Sequence, residues 1–166
     1  MFSAYELFGF MPAALSTEIL EKSFSTNKEL YRATLGAVAE ARHVRPTFLE
    51  RKPRVDRHKE MIDMLSRPRM NVAAATLLRG WLMTNEKSML VDFLDNLGIQ
   101  HKDGAVDNLP ESVDDEKLKA AVESLLAKHS REKVTVYLHA CDEMNEVQWG
   151  NLKGLLESDA RLQLGA

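Results

Sequence analysis

Apolar residues recur along this chain at the three- and four-residue spacing that builds one buried face of a helix. Over residues 27–43 the stripe is Leu30, Thr34, Leu35, Val38 and Ala41, and Thr26 followed by Glu29 forms a capping-box pair at its start. A shorter helix is expected over 16–24, carrying Ile19, Leu20 and Phe24. Pro46, Pro53 and Pro68 then punctuate the chain. Proline fits the first turn of a helix and disfavours helical geometry in the residue before it. The expected elements are a turn or two after Pro46, a helix over 53–66 and another over 68–83.

Thr84 or Asn85 is placed to cap a further helix bearing Met89, Leu90, Phe93, Leu94 and Leu97, with Gly98 as its left-handed terminator. Residues 99–112 read as the longest loop. Ser112 or Asp114 starts the next helix (Leu118, Val122, Leu125, Leu126), and Ser130 starts one through Met144. Asn145 with Gln148 repeats the capping-box pattern ahead of 147–156. Strand grammar is absent: the one Asp-Gly pair, Asp103-Gly104, joins no alternating segments. The expectation is an all-α fold, a single-domain helical bundle or short helical array of about eight helices over residues 1–166. Residues 19–27 align without gaps on 77–85, and an apolar helix follows each. A true repeat would give stacked helical hairpins, whereas shared apolar endings and Thr-Asn caps explain the likeness without one.

Length changes this picture little: 166 residues suit one domain able to bury its own core without disulfides or a structural metal. Cys141 is the sole cysteine, so no disulfide can form within the chain, which favours a reducing compartment. Residues 1–12 carry Glu6 and neither Lys nor Arg, unlike a secretory leader. The most apolar run, 72–83, is broken by Thr76 and Arg79, so no membrane span is expected. Together these make the cytoplasm the expected location.

Charge is unevenly spread although the net value is only −3. Residues 42–69 hold Arg42, Arg45, Arg51, Lys52, Arg54, Arg57, Lys59, Arg67 and Arg69 against four acids, whereas 103–116 hold six acids and no base. Arg45, Arg51, Lys52, Arg54, Arg57 and Lys59 are therefore the candidate anion- or partner-binding residues, since clustered cations are what phosphates or acidic surfaces require. Glu50, Asp56, Glu60 and Asp63 interrupt the run and can instead pair locally on a solvated helix face.

Catalytic, cofactor and metal signatures are missing: no glycine-rich phosphate loop, no H-E-x-x-H, no Glu-x-x-His pairs. The densest reactive cluster is Tyr137, His139, Cys141, Asp142 and Glu143. On a helix His139 and Cys141 point apart, so they form no nucleophile–base pair, and Cys141 falls on the apolar stripe with Val134, Tyr137 and Leu138. His139 and Glu143 share a face but no third metal ligand is signposted. Trp81 and Trp149 sit in apolar contexts that suit a core. The opening aromatics Phe2, Tyr5, Phe8 and Phe10 suit either a short helix closing on the protein's own core or a docking peptide. No cofactor is expected. The resulting expectation is a non-catalytic interaction domain that binds a protein partner or another copy of itself. Nucleic-acid or anion binding through 42–69 is the alternative, and an enzyme without a local signature comes after it.

Overall fold

The structure, a computed structural model, describes residues 2–165. It is helical over 74% of its length, with ten α-helices and no strand among the described residues, two more helices than the hydrophobic pattern predicts. By internal contacts the chain divides into two compact units, residues 2–81 and 82–164.

The amino-terminal unit contains α1 (Ala4–Phe10), α2 (Ala13–Thr26), α3 (Lys28–Ala41), α4 (Pro46–Glu50), α5 (Arg54–Leu65) and α6 (Asn71–Asn85) as far as Trp81. A 3-10 turn, Pro68–Met70, precedes α6. Each proline opens an element as expected, with Pro46 in the first turn of α4 and Pro53 immediately before α5. Of the opening aromatics only Phe8 is buried, on α1, whereas Phe2 and Tyr5 are half-buried and Phe10, 47% exposed, packs ring to ring with Phe2 at 5.0 Å. The core gathers Ile19, Leu20, Leu35, Val38, Leu49, Met61, Leu65, Leu77, Leu78 and Trp81. Helices α3 and α6 approach closely at Gly80, where any Cβ would collide with the Leu30 side chain. Asn27, not Thr26, occupies the cap of α3, its Oδ1 accepting from the Leu30 N–H at 3.3 Å. Thr26 stays in α2 and donates to the Lys22 carbonyl at 2.6 Å.

The carboxy-terminal unit contains the last turn of α6, then α7 (Lys87–Leu97), α8 (Asp115–Lys128), α9 (Arg131–Met144) and α10 (Gly150–Ser158). Between the two candidates Ser112 and Asp114, Asp114 caps α8, and Ser130 caps α9, each accepting from the N–H three residues on. Asn145 does not start the last helix. Its side chain turns back to donate to Cys141 Sγ, and α10 begins five residues later with Trp149 at the cap position. The core holds Phe93, Leu118, Leu125, Val134, Leu138, Leu152 and Trp149, with Phe93 edge-on to Tyr137 at 5.5 Å. In the acidic loop, Asp103 (φ 53°) and Gly104 (φ 86°) form a tight turn closed by a lone bridge between Lys102 and Ala105. Trp149 Nε1 and Asn151 Nδ2 donate to the Pro110 and Val113 carbonyls, tying this loop to the start of α10.

Two helices, one in each unit, end alike. After α7, Gly98 is left-handed (φ 71°), its N–H bonds the Asp95 carbonyl, and the Ile99 N–H reaches back to Leu94. After α3, His43 takes the same conformation (φ 57°), with N–H bonds from His43 to Glu40 and from Val44 to Ala39. Both are Schellman terminators, a slot that suits glycine. A side chain with a Cβ there costs about 1 kcal/mol or slightly more.

The aligned segments 19–27 and 77–85 both close a helix, but they part at the cap. Asn27 caps α3, whereas Asn85 is still helical and Glu86 precedes α7.

Candidate functional site

The six cations picked out by charge do not act as one face. Arg57 is only 8% exposed, which corrects its reading as a surface contact. Its guanidinium lies 5.8 Å from the Phe24 ring and 5.7 Å from the Tyr31 ring, and Nη1 donates to the Glu50 carbonyl at 3.2 Å. A planar, weakly hydrated guanidinium suits such an aromatic cage. Arg54 stacks on the outer side of Phe24 at 4.8 Å and pairs with Glu21 at 3.2 Å. Lys52 is shared between Glu60 and the face of Phe48. Glu60 also takes Arg42 at 2.7 Å, and these partners, led by the hydrogen bond from Lys52, hold its carboxyl below the usual range. Arg45, Arg51 and Lys59 remain exposed.

Beside the exposed cations stand two apolar side chains in water, Phe48 on α4 (49% exposed) and Val55 in the first turn of α5 (66%). Leu49, the neighbour of Phe48, is fully buried and anchors α4. The corner therefore presents Arg45, Phe48, Arg51, Arg54 and Val55 within eleven residues. In the other unit all six acids of 103–116 are exposed. Asp114 is spent on the α8 cap and Asp115 accepts from Asn151 at 2.7 Å.

Two groups of polar side chains lie largely inside, one in each unit, and only the one in the carboxy-terminal unit was visible in the sequence. In the amino-terminal unit His58 is buried, with Nε2 2.8 Å from the Tyr31 hydroxyl and Nδ1 3.2 Å from Glu21 Oε1. The carboxylate assigns the proton to Nδ1, so Nε2 accepts from the tyrosine. Burial lowers the His58 pKa against the pull of Glu21, and burial raises that of Tyr31. Glu21, Tyr31 and His58 come from α2, α3 and α5, so no local spacing could announce them. In the carboxy-terminal unit His139 Nε2 donates to the Leu162 carbonyl at 2.9 Å, beside the 3-10 turn Ala160–Leu162. Arg161 of that turn pairs with Asp159 and with Glu123 of α8. Cys141 is partly buried, and desolvation pushes its thiol up to about 12, far from a reactive thiolate.

Asp142, beside them, is 2% exposed and neither carboxyl oxygen accepts a hydrogen bond among the described residues. Desolvation raises its pKa, opposed by His139 and Lys153. The folded state thus keeps its proton to higher pH than the unfolded chain does. The contribution of Asp142 to stability is intact below the ordinary aspartate value of about 3.9 and is lost as pH rises through the folded value. Asp142→Asn should abolish that loss. Urea midpoints of the two proteins should diverge in the variant's favour as pH rises from ~4 to ~7, and parallel curves would refute a buried, proton-retaining carboxyl.

Tyr31, His58, Tyr137, His139, Cys141 and Asp142 line neither the two clefts along α3, α5 and the start of α6 nor those beside residues 97–117 and between α8 and α10. Among the described residues no three His, Cys, Asp or Glu side chains are placed to share a metal ion. No helix among them is long and apolar enough to cross a membrane. No protein-family model matches this chain, and no curated protein or solved structure matches it.

Proposed function

We propose that this protein is an interaction domain that binds an acidic protein surface through the α4–α5 corner. The observation that carries the reading is the pair of water-exposed apolar side chains, Phe48 and Val55, in the same corner as the exposed Arg45 and Arg51. An apolar centre with a cationic rim supplies burial for affinity and charge for orientation, the division of labour at protein interfaces. Exposed ion pairs alone contribute only ~0–1 kcal/mol each. Nucleic acid fits less well, because Lys52, Arg54 and Arg57 are engaged on Glu60, Phe24 and the Glu50 carbonyl. A phosphate backbone asks for several uncommitted cations along one face. The six exposed acids of 103–116 make a second copy of this chain the first partner to test.

The variant Arg45→Glu/Phe48→Ser/Arg51→Glu alters only exposed side chains and should leave the helical spectrum unchanged. In sedimentation at ~50 mM salt the wild type should self-associate, and the variant should associate roughly tenfold more weakly or not at all. Gel shifts with random DNA and RNA under the same conditions should show no tight complex. Tight, salt-sensitive nucleic-acid binding by the wild type that the variant loses would replace this reading with the nucleic-acid one.

A further inference from the structure

We propose that a groove between α3, α5 and the start of α6 is a docking site for an acidic, amphipathic helix of another protein. This goes beyond the corner reading, since none of the corner's five residues lines the groove. Two clefts of about 600 and 420 Å³ adjoin there, sharing Ala41 and Arg69 in their walls. The first is cationic. Arg42 and Arg67 in its wall are already neutralised by Glu60 and Asp63, but Lys59 and Arg69 are exposed and have no ion-pair partner among the described residues. The second is mainly apolar, walled by Ala33, Ala37, Met70, Ala73 and Val72, the last 80% exposed, with Thr34, Thr76 and the exposed carboxylate of Glu40 also in its wall.

An occupant must therefore join an apolar face to a negatively charged end. Along α3, Ala33 to Ala41 spans about 12 Å, enough for roughly two turns of a docked helix. Nucleic acid offers nothing to the apolar half. Among the described residues the large apolar side chains left exposed are Phe10, Phe48, Val55 and Val72, each on a different helix, so a second copy presents no helix with an exposed apolar face. His43 lines the cationic cleft while holding the left-handed terminator of α3, where glycine would be less strained. A glycine there would relax the backbone and at the same time remove one side chain from the cleft wall.

The test uses the full chain and a fluorescent helical peptide of about three turns, with leucine and alanine along one face and glutamates at one end. Anisotropy should show saturable binding, and the same peptide with lysines in place of the glutamates should not bind. Lys59→Glu/Arg69→Glu and Val72→Asp should each weaken binding roughly tenfold or more. His43→Gly should raise the denaturation midpoint and yet weaken binding, a pairing that a purely structural His43 would not produce. The corner variant should bind the peptide as the wild type does, so the two readings fail separately. Equal binding of acidic and basic peptides, indifference to the double reversal, or no binding at ~1 mM peptide would overturn the groove proposal. Competition by inorganic phosphate at low millimolar concentration would reassign the cationic half to a small anion and overturn it too.

Discussion

Arg57→Glu is expected to destabilise the amino-terminal unit by about 3–5 kcal/mol, the cost of leaving a buried charge without its compensation. The guanidinium is almost wholly inside, between the Phe24 and Tyr31 rings and the Glu50 carbonyl. A carboxylate there would face the negative ring faces and a carbonyl oxygen, with Glu21 close to the same rings through Arg54 and His58. Arg57→Met, which keeps the length and loses the charge, should cost much less. Urea denaturation followed by circular dichroism measures both, and equal losses would mean that packing rather than charge decides the site. Arg57 is consequently the wrong residue for a binding test, because reversing it would weaken the fold before it reported on any partner.

Phe93→Ala should cost about 3–5 kcal/mol in the carboxy-terminal unit, from lost transfer energy plus the cavity left behind. Phe93 is fully buried on α7 and meets Tyr137 of α9 edge-on at an interplanar angle of 72°, so truncation removes a ring contact as well as volume. Phe93→Leu keeps most of the volume and should lose no more than about half as much. The denaturant midpoint decides it. A loss below about 1 kcal/mol for the alanine variant would show that α7 and α9 close over the gap.

Most of the helices were legible because their signals are local. Proline at the head of α4 and α5, Gly98 behind α7 and Ser130 before α9 act within one turn of where they stand. Errors came where two local signals competed. Thr26 and Asn27 can both cap α3, and the outcome depends on whether one more residue joins α2. Asn145 matched a cap by spacing, yet its amide found Cys141 Sγ one turn back instead.

The candidate site was harder to see for a different reason. Burial of a cation is decided by what other helices put around it, and the rings that cage Arg57 lie on α2 and α3. Charge counting weighs Arg57 and Arg51 equally, although one is core and the other faces water. The exposed apolar residues Phe48, Val55 and Val72 were invisible for the converse reason. Each reads as an ordinary core residue until the packing leaves it out.

The tryptophans fall one to each unit, Trp81 in the first and Trp149 in the second, both at least 97% buried. Indole emission shifts to the red when water reaches the ring, so the chain carries two built-in optical reporters on different halves of itself. Trp81→Phe silences one and Trp149→Phe the other, without adding any dye. Melting curves of the two single-tryptophan proteins would coincide if the halves come apart in one cooperative step. They would separate if each half keeps its own melting temperature, in which case one half could loosen around a partner while the other stays folded.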